Sequence, residues 1–181
     1  MSWEKDIQEL KRREKLAEKM GGEEKLKRQK DNNRLNVRER INLLFDKNSF
    51  HEFGKIAGKA QYNENGELEN FTPSNFVMGK GKINGKDVVV GGDDFTVRGG
   101  AADASIAQKQ IMAEQLANEF RLPLIRLIEG TGGGGSVKSL DMDARTYIPG
   151  NPGWNWVIEN LSTIPVLALA LGPVAGLGAA R

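Results

Sequence analysis

The chain has 181 residues, 39% of them hydrophobic and 28% charged, with 26 basic and 24 acidic side chains and a formal net charge of +2. That length can bury one sizeable core with an appended arm, and so small a charge is no electrostatic footprint for nucleic acid. The lack of cysteine excludes disulfides, thiolate metal sites and a cysteine nucleophile, and no metal site is expected.

Residues 1–30 mix seven acids with ten bases and hold no apolar leader segment. Gly21-Gly22 divides them into two helical pieces, the first with a weak apolar stripe of Trp3, Ile7, Leu10 and Leu16-Ala17. Such a mixed-charge run reads as a solvated arm, here residues 1–35, ahead of a body over residues 36–181. Asn36 followed by Glu39 is a capping box, so a short helix is expected over residues 36–45, with Val37, Ile41, Leu44 and Phe45 on its apolar face. Residues 49–58 read as strand or irregular chain, and His51, the single histidine, supports no triad. The polar residues 61–75 read as a loop.

Residues 82–90 form a hairpin pattern in which an Asn84-Gly85 turn feeds a buried strand, paired with residues 76–81. A P-loop is excluded there: Gly79 and Gly85 are one residue too far apart, Asp87 stands in place of Ser/Thr, and Gly85-Lys86 joins two strands. A long helix is expected after Gly100, with Ala102, Ile106, Ala113, Leu116, Ala117 and Phe120 at helical steps and Pro123 as its stop. The apolar run Leu124-Ile125-Arg126-Leu127-Ile128 is a strand leading into Glu129-Gly130-Thr131 and four consecutive glycines, 132–135. A short helix is expected around residues 156–162. Val166-Leu167-Ala168-Leu169-Ala170-Leu171 reads as a strand buried on both faces, followed by a second glycine loop and a helix start over residues 172–181. The chain stops inside that apolar turn, which reads as a truncation after Arg181. Residues 164–180 are interrupted by Pro165, Pro173 and glycines, so no membrane span is expected, and the reading is of a soluble, cytoplasmic protein.

Gly130 to Gly135 formally satisfies G-x-G-x-x-G, but a dinucleotide site needs a helix directly after the loop and an acid on the next strand. Lys138, Asp141, Asp143, Arg145 and Pro149 follow instead. A plain surface loop leaves unexplained why a second apolar strand also ends in small residues. Two glycine-rich strand ends suit backbone N–H stabilisation of an enolate or tetrahedral oxygen, chemistry that needs neither cysteine nor histidine.

Several segments carry a family resemblance in the right order. Residues 36–46 resemble the "RERI-LL-D" helix of acyl-CoA carboxyltransferases. Asp94-Phe95-Thr96-Val97-Arg98-Gly99-Gly100 resembles their "NDFTV-GG" segment. Residues 122–133 resemble "P-I-L-DSGGA", and Gly172-Pro173-Val174-Ala175-Gly176 resembles "GPCAGGA". The chain is thus similar to the carboxyltransferase (beta) subunit of biotin-dependent acyl-CoA carboxylases, in its N-terminal part. Gly21-Gly22-Glu23-Glu24 leans toward the methylcrotonyl-CoA type, Asp94 to Val97 toward the propionyl-CoA type.

The resemblance implies an α/β, crotonase-like (ClpP/crotonase) spiral of ββα units, incomplete, with an N-terminal helical arm. It implies carboxyl transfer from carboxybiotin, presented by a biotin carboxylase and biotin carrier partner, to the α- or vinylogous carbon of an acyl-CoA. Backbone amides of Gly132, Gly133 and Gly134, and of Gly176 and Leu177, would hold the enolate or ureido oxygen. Thr96, Arg98, Gly99 and Gly100 would lie along the CoA moiety. A C-terminal carboxyltransferase half and a homo-oligomer would complete the site, and this chain alone would not turn over. In a mitochondrial setting the location would be the matrix. Departures are Gly130-Thr131 for Asp-Ser, Gly134-Gly135 for Ala-Arg or Ala-Asn, and Leu177 for glycine. A crotonase-like hydrolase or isomerase using Glu129 or Asp143 as acid/base, and a non-catalytic assembly subunit, are the alternatives.

Overall fold

The computed structural model describes residues 3–101, 106–131, 153–176 and 179. Helices α1 (Glu4–Glu18) and α2 (Glu23–Asp31) break at Gly21-Gly22 as the sequence indicates. Most of both is in solvent, with Ala17 and Gln29 turned inward. Helix α3 (Val37–Leu44) opens on the expected capping box. Asn36 Oδ1 accepts the Glu39 N–H at 3.0 Å, while Glu39 Oε2 accepts the Asn36 N–H at 2.9 Å.

Strand β1 (His51–Phe53) is short. Strands β2 (Gly58–Tyr62) and β3 (Leu68–Pro73) form a separate antiparallel ribbon where composition suggests only a loop. The ribbon lies largely in solvent, so it lacks the apolar alternation that marks a strand. Asn63 builds its turn, its Oδ1 accepting the N–H groups of Asn65 at 3.0 Å and Glu67 at 2.9 Å.

Strands β4 (Phe76–Ile83) and β5 (Lys86–Asp93) are the expected hairpin, with Ile83 opposite Lys86. Asn84 at φ 51° and Gly85 at φ 79° give the primed turn that matches strand twist. A 3-10 turn, Arg98–Gly100, precedes helix α4 (Ala107–Phe120). That helix begins later than its periodicity suggests: Ile106 is extended, and Ala102 lies outside the described residues. Strand β6 (Leu124–Thr131), helix α5 (Trp154–Thr163) and strand β7 (Val166–Ala175) complete the described fold.

The main sheet has the order β1-β4-β5-β6-β7, antiparallel as far as β5 and parallel across β5, β6 and β7. One face packs Val77, Val88, Val90, Ile125 and Leu127 against Val37 and Ile41 of α3 and Met20. The other packs Val89 and Leu124 against Ala117 of α4, and Phe76 and Met78 against Ala113. Strand β6 alternates strictly between these two faces, as a central strand must.

Strand β7 corrects the expectation of burial on both faces. Among the described residues it is the sheet's outer strand, paired with β6, and Leu167 is 51% exposed. An unbroken apolar run cannot by itself tell a central strand from an outer one, because both are read from side chains and not from partners. The strand also continues through Pro173, a residue an outer strand tolerates because its missing N–H needs no second neighbour.

Candidate functional site at the ends of the parallel strands

In open sheets with parallel strands, ligands sit beyond the carboxyl ends of the strands. Here β6 and β7 end side by side: Gly130 pairs with Val174 and Thr131 with Ala175. Upstream, Ile128 pairs with Ala170, so the register breaks between the two regions, and β7 spends two extra residues there. The Arg98–Gly100 turn closes on the same place. Arg98, Gly99 and Gly100 stand at φ 52°, 63° and 69°. A β-carbon on Gly100 would lie 2.6 Å from the Glu129 carbonyl oxygen and 2.9 Å from the Gly130 Cα. Three backbone segments therefore meet with no side chain between them.

Buried charge surrounds the junction, and the alternation of β6 explains its layout. On one face Arg126 makes a bidentate pair with Glu114 of α4, at 2.8 and 2.9 Å. On the other face Glu129, 1% exposed, pairs with Arg40 of α3. The Glu129 N–H donates to Asp93 Oδ2 at 3.2 Å. Asp94 Oδ1 accepts from Thr96 N at 2.9 Å and from Thr96 Oγ1 at 2.6 Å. Burial raises the Asp94 carboxyl above its ordinary range, and the two Thr96 hydrogen bonds act against that rise. Behind β6 a cavity of about 20 Å³ is lined by Asp93, Glu114 and Arg126 among others, room for one water at most.

A wider cleft of about 530 Å³ opens elsewhere, between α1, α3 and β1. Its charges are largely spent on one another: Arg38 holds Glu52 at 2.6 and 3.0 Å, and Lys55 holds Glu18 at 2.7 Å. His51 is exposed on its rim, edge-on to Phe53. Arg38 Nε is buried there without a hydrogen-bond partner among the described residues, but both terminal nitrogens of the same guanidinium are taken up by Glu52, so the strand ends are the better candidate.

The expected site residues fall into three sets. Arg98, Gly99, Gly100 and Gly176 are placed around the strand ends, and Gly176 stands at φ 59° on the surface. Thr96 is 3% exposed, and its hydroxyl is used inside the fold, accepting the Gly21 N–H at 2.9 Å and donating to Asp94. It supports the turn from beneath. Gly132, Gly133, Gly134 and Leu177 lie outside the described residues, as does Asp143. In the sequence Arg40 carries no visible role, and Glu129 stands out only as a free acid/base. The signal for Arg40 was present in its "RERI" segment, but its partner lies far along the chain.

The sequence profile of the carboxyl transferase domain matches residues 28–179. The chain belongs to the carboxyl transferase family. Among its relatives, the probable mitochondrial methylcrotonoyl-CoA carboxylase beta chain of Drosophila melanogaster is 32% identical over 162 residues, covering 89% of this chain and 27% of that protein. The propionyl-CoA carboxylase beta chain of Cereibacter sphaeroides is 31% identical over 173 residues, covering 95% of this chain and 33% of that one. The chain thus spans about a quarter to a third of the length of these relatives. The transcarboxylase 12S structure, a hexamer with methylmalonyl-coenzyme A and methylmalonic acid bound, superposes at a TM-score of 0.70 with 23% identity, over 97% of this chain and 33% of that one. The carboxyl transferase chain shares that fold, as the expected crotonase-like architecture requires. Among its described residues no helix is long and apolar enough to cross a membrane, and no cluster of His, Asp or Glu could hold a metal ion.

Proposed function

We propose that this chain carries the acyl-CoA side of a biotin-dependent carboxyltransferase. A carboxyl group would pass from carboxybiotin to the α-carbon, or vinylogous carbon, of a short acyl-CoA. The observation that carries the reading is the junction of Gly100, Gly130 and the adjacent ends of β6 and β7. It offers bare backbone where a thioester oxygen must be approached closely. The backbone N–H groups of Gly132, Gly133, Gly134, Gly176 and Leu177 are assigned to the enolate or ureido oxygen, and Arg98, Gly99 and Gly100 to the CoA side. Carboxybiotin, brought by a partner carrier domain, supplies the activated carboxyl group. A C-terminal carboxyltransferase half and further copies of the chain complete the site, with residues 1–35 as an arm and residues 36–181 as the N-terminal carboxyltransferase body. The hydrolase or isomerase reading needs a free carboxylate at the thioester, and Glu129 is instead held by Arg40 inside the protein.

Calorimetric titration with propionyl-CoA, with CoA and NAD as controls, tests the reading. Saturable binding of the CoA ester and none of NAD is expected, weakened by Gly133→Pro, which deletes one N–H. Binding of NAD alone overturns it.

A further inference from the structure

Where β6 and β7 lose register, three features coincide that neither strand alone explains. Between Ile128/Ala170 and Gly130/Val174, β6 advances two residues while β7 advances four, so Leu171, Gly172 and Pro173 bulge opposite Glu129. Such a bulge takes backbone groups out of the ladder. Arg40 Nη2 reaches from α3 and donates to the Leu171 carbonyl at 3.1 Å, while its Nη1 holds Glu129 Oε2. The Glu129 side chain fills the space above Gly172, so closely that a β-carbon there would overlap its carboxylate. Its second oxygen, Oε1, is buried without a hydrogen-bond partner among the described residues. A carboxylate kept 1% exposed is costly unless it is paired, and Arg40 is the group that holds it.

We infer that Arg40 and Glu129 are a positioning pair that sets the register in which the two strand ends face each other. The guanidinium bridges both strands at once, with one nitrogen on the β6 side chain and one on the β7 backbone. Beyond the bulge the ladder resumes as Gly130/Val174 and Thr131/Ala175, and the chain continues from there to Gly132 on one side and Gly176 on the other. A slip at the bulge would move one loop relative to the other by a residue, and donors aimed at one oxygen would no longer converge. Its value for ligand binding rests on the carboxyltransferase reading; its role in strand register does not.

The test compares the full chain with Arg40→Met, Arg40→Lys, Glu129→Gln and Gly172→Ala. Gly172→Ala removes no charge but displaces the carboxylate by overlap, and Arg40→Lys keeps the charge without the two-pronged reach. Amide hydrogen exchange is measured at residues 128–131, 171–172 and 174–176, with the β4–β5 hairpin as internal reference. Affinity for propionyl-CoA is measured against affinity for CoA, which lacks the thioester oxygen. Exchange about tenfold faster at the strand ends alone is expected in Arg40→Met and Gly172→Ala, with Arg40→Lys between them and the parent. The preference for propionyl-CoA over CoA is expected to fall several-fold in parallel, with CoA affinity unchanged. Exchange that rises throughout the sheet, or nowhere, makes the pair an ordinary structural contact and overturns the inference. Local acceleration with an unchanged preference overturns its link to the ligand. Absence of propionyl-CoA binding in the folded parent chain overturns the assignment of the acyl-CoA contact to these strand ends, while the exchange data still decide the role of the pair.

Discussion

Thr96 Oγ1 accepts the N–H of Gly21 at 2.9 Å, joining the break between α1 and α2 to the turn beside the strand ends. The same hydroxyl donates to buried Asp94, so one side chain closes two polar groups at once. Thr96→Val keeps the shape, leaves the Gly21 N–H unmatched and removes one of the two hydrogen bonds to Asp94 Oδ1, the one from the Thr96 N–H remaining. It should lower stability by about 1–3 kcal/mol. Urea denaturation with an unchanged m-value measures this, and Thr96→Ser should recover most of the loss. Equal stability for the valine and serine variants would show that the hydroxyl contributes nothing.

Lys109, on the first turn of α4, is 5% exposed, and its stem packs beside Gly54. Burial lowers its pKa from 10.5 to about 8, Glu52 opposing the shift and Arg38 adding to it. The folded chain therefore releases this proton near pH 8, whereas the unfolded chain keeps it to near its ordinary value. Stability rises with pH through that window, by about 2–3 kcal/mol in all. Lys109→Met should be more stable than the parent at pH 7, with the difference closing as pH approaches 10. Denaturation curves at several pH values check it; parallel pH profiles for the two proteins would exclude the effect.

The Arg126–Glu114 pair is bidentate and buried. Asn160 Nδ2 also donates to Glu114 Oε2 and to its carbonyl, both at 3.0 Å, and Asn160 Oδ1 accepts from Asn118 at 2.9 Å. Removing one charge leaves the other buried without its counter-ion, Glu114 keeping only the hydrogen bond from Asn160. Arg126→Met alone should cost about 3–5 kcal/mol. The double variant Arg126→Met, Glu114→Leu should cost clearly less than the sum of the two single changes. A double-mutant cycle reports that coupling, and strict additivity would argue against it.

Gly99 and Gly100 form a matched comparison. Both have positive φ, but a β-carbon at Gly99 would come no nearer than 3.8 Å to the Phe95 ring. Gly99→Ala should therefore cost about 1 kcal/mol, the price of the left-handed backbone alone. Gly100→Ala must also push the turn away from Glu129 and Gly130, and should abolish propionyl-CoA binding while Gly99→Ala retains it. Calorimetry on both variants decides; equal losses would show that the close approach at Gly100 is not what the ligand depends on.

Much of the layout was legible residue by residue. Asn36 with Glu39 marked the start of α3, Asn84-Gly85 the hairpin, and Gly21-Gly22 the division of the arm. The β2–β3 ribbon was not legible, because polar strands in solvent leave no periodic trace. The exposed position of β7 was misread because an apolar run reports hydrophobicity and not neighbours. For the site, the glycines around Gly100, Gly130 and Gly176 stood out as bare backbone, while Arg40 and Glu129 did not stand out as partners.

The amino-acid sequence alone determined those features that depend on short-range hydrogen bonds and backbone sterics: caps, turns, helix stops and the glycine-rich strand ends. The family motifs were equally its own. Only the tertiary structure decided which charge meets which. Arg126 and Glu129 are three residues apart on one strand, so the two-residue pleat sends them to opposite faces, one toward Glu114 and the other toward Arg40, 89 positions away in the chain. Such pairings follow from how the sheet is stacked between its helices, and no local signal carries that information.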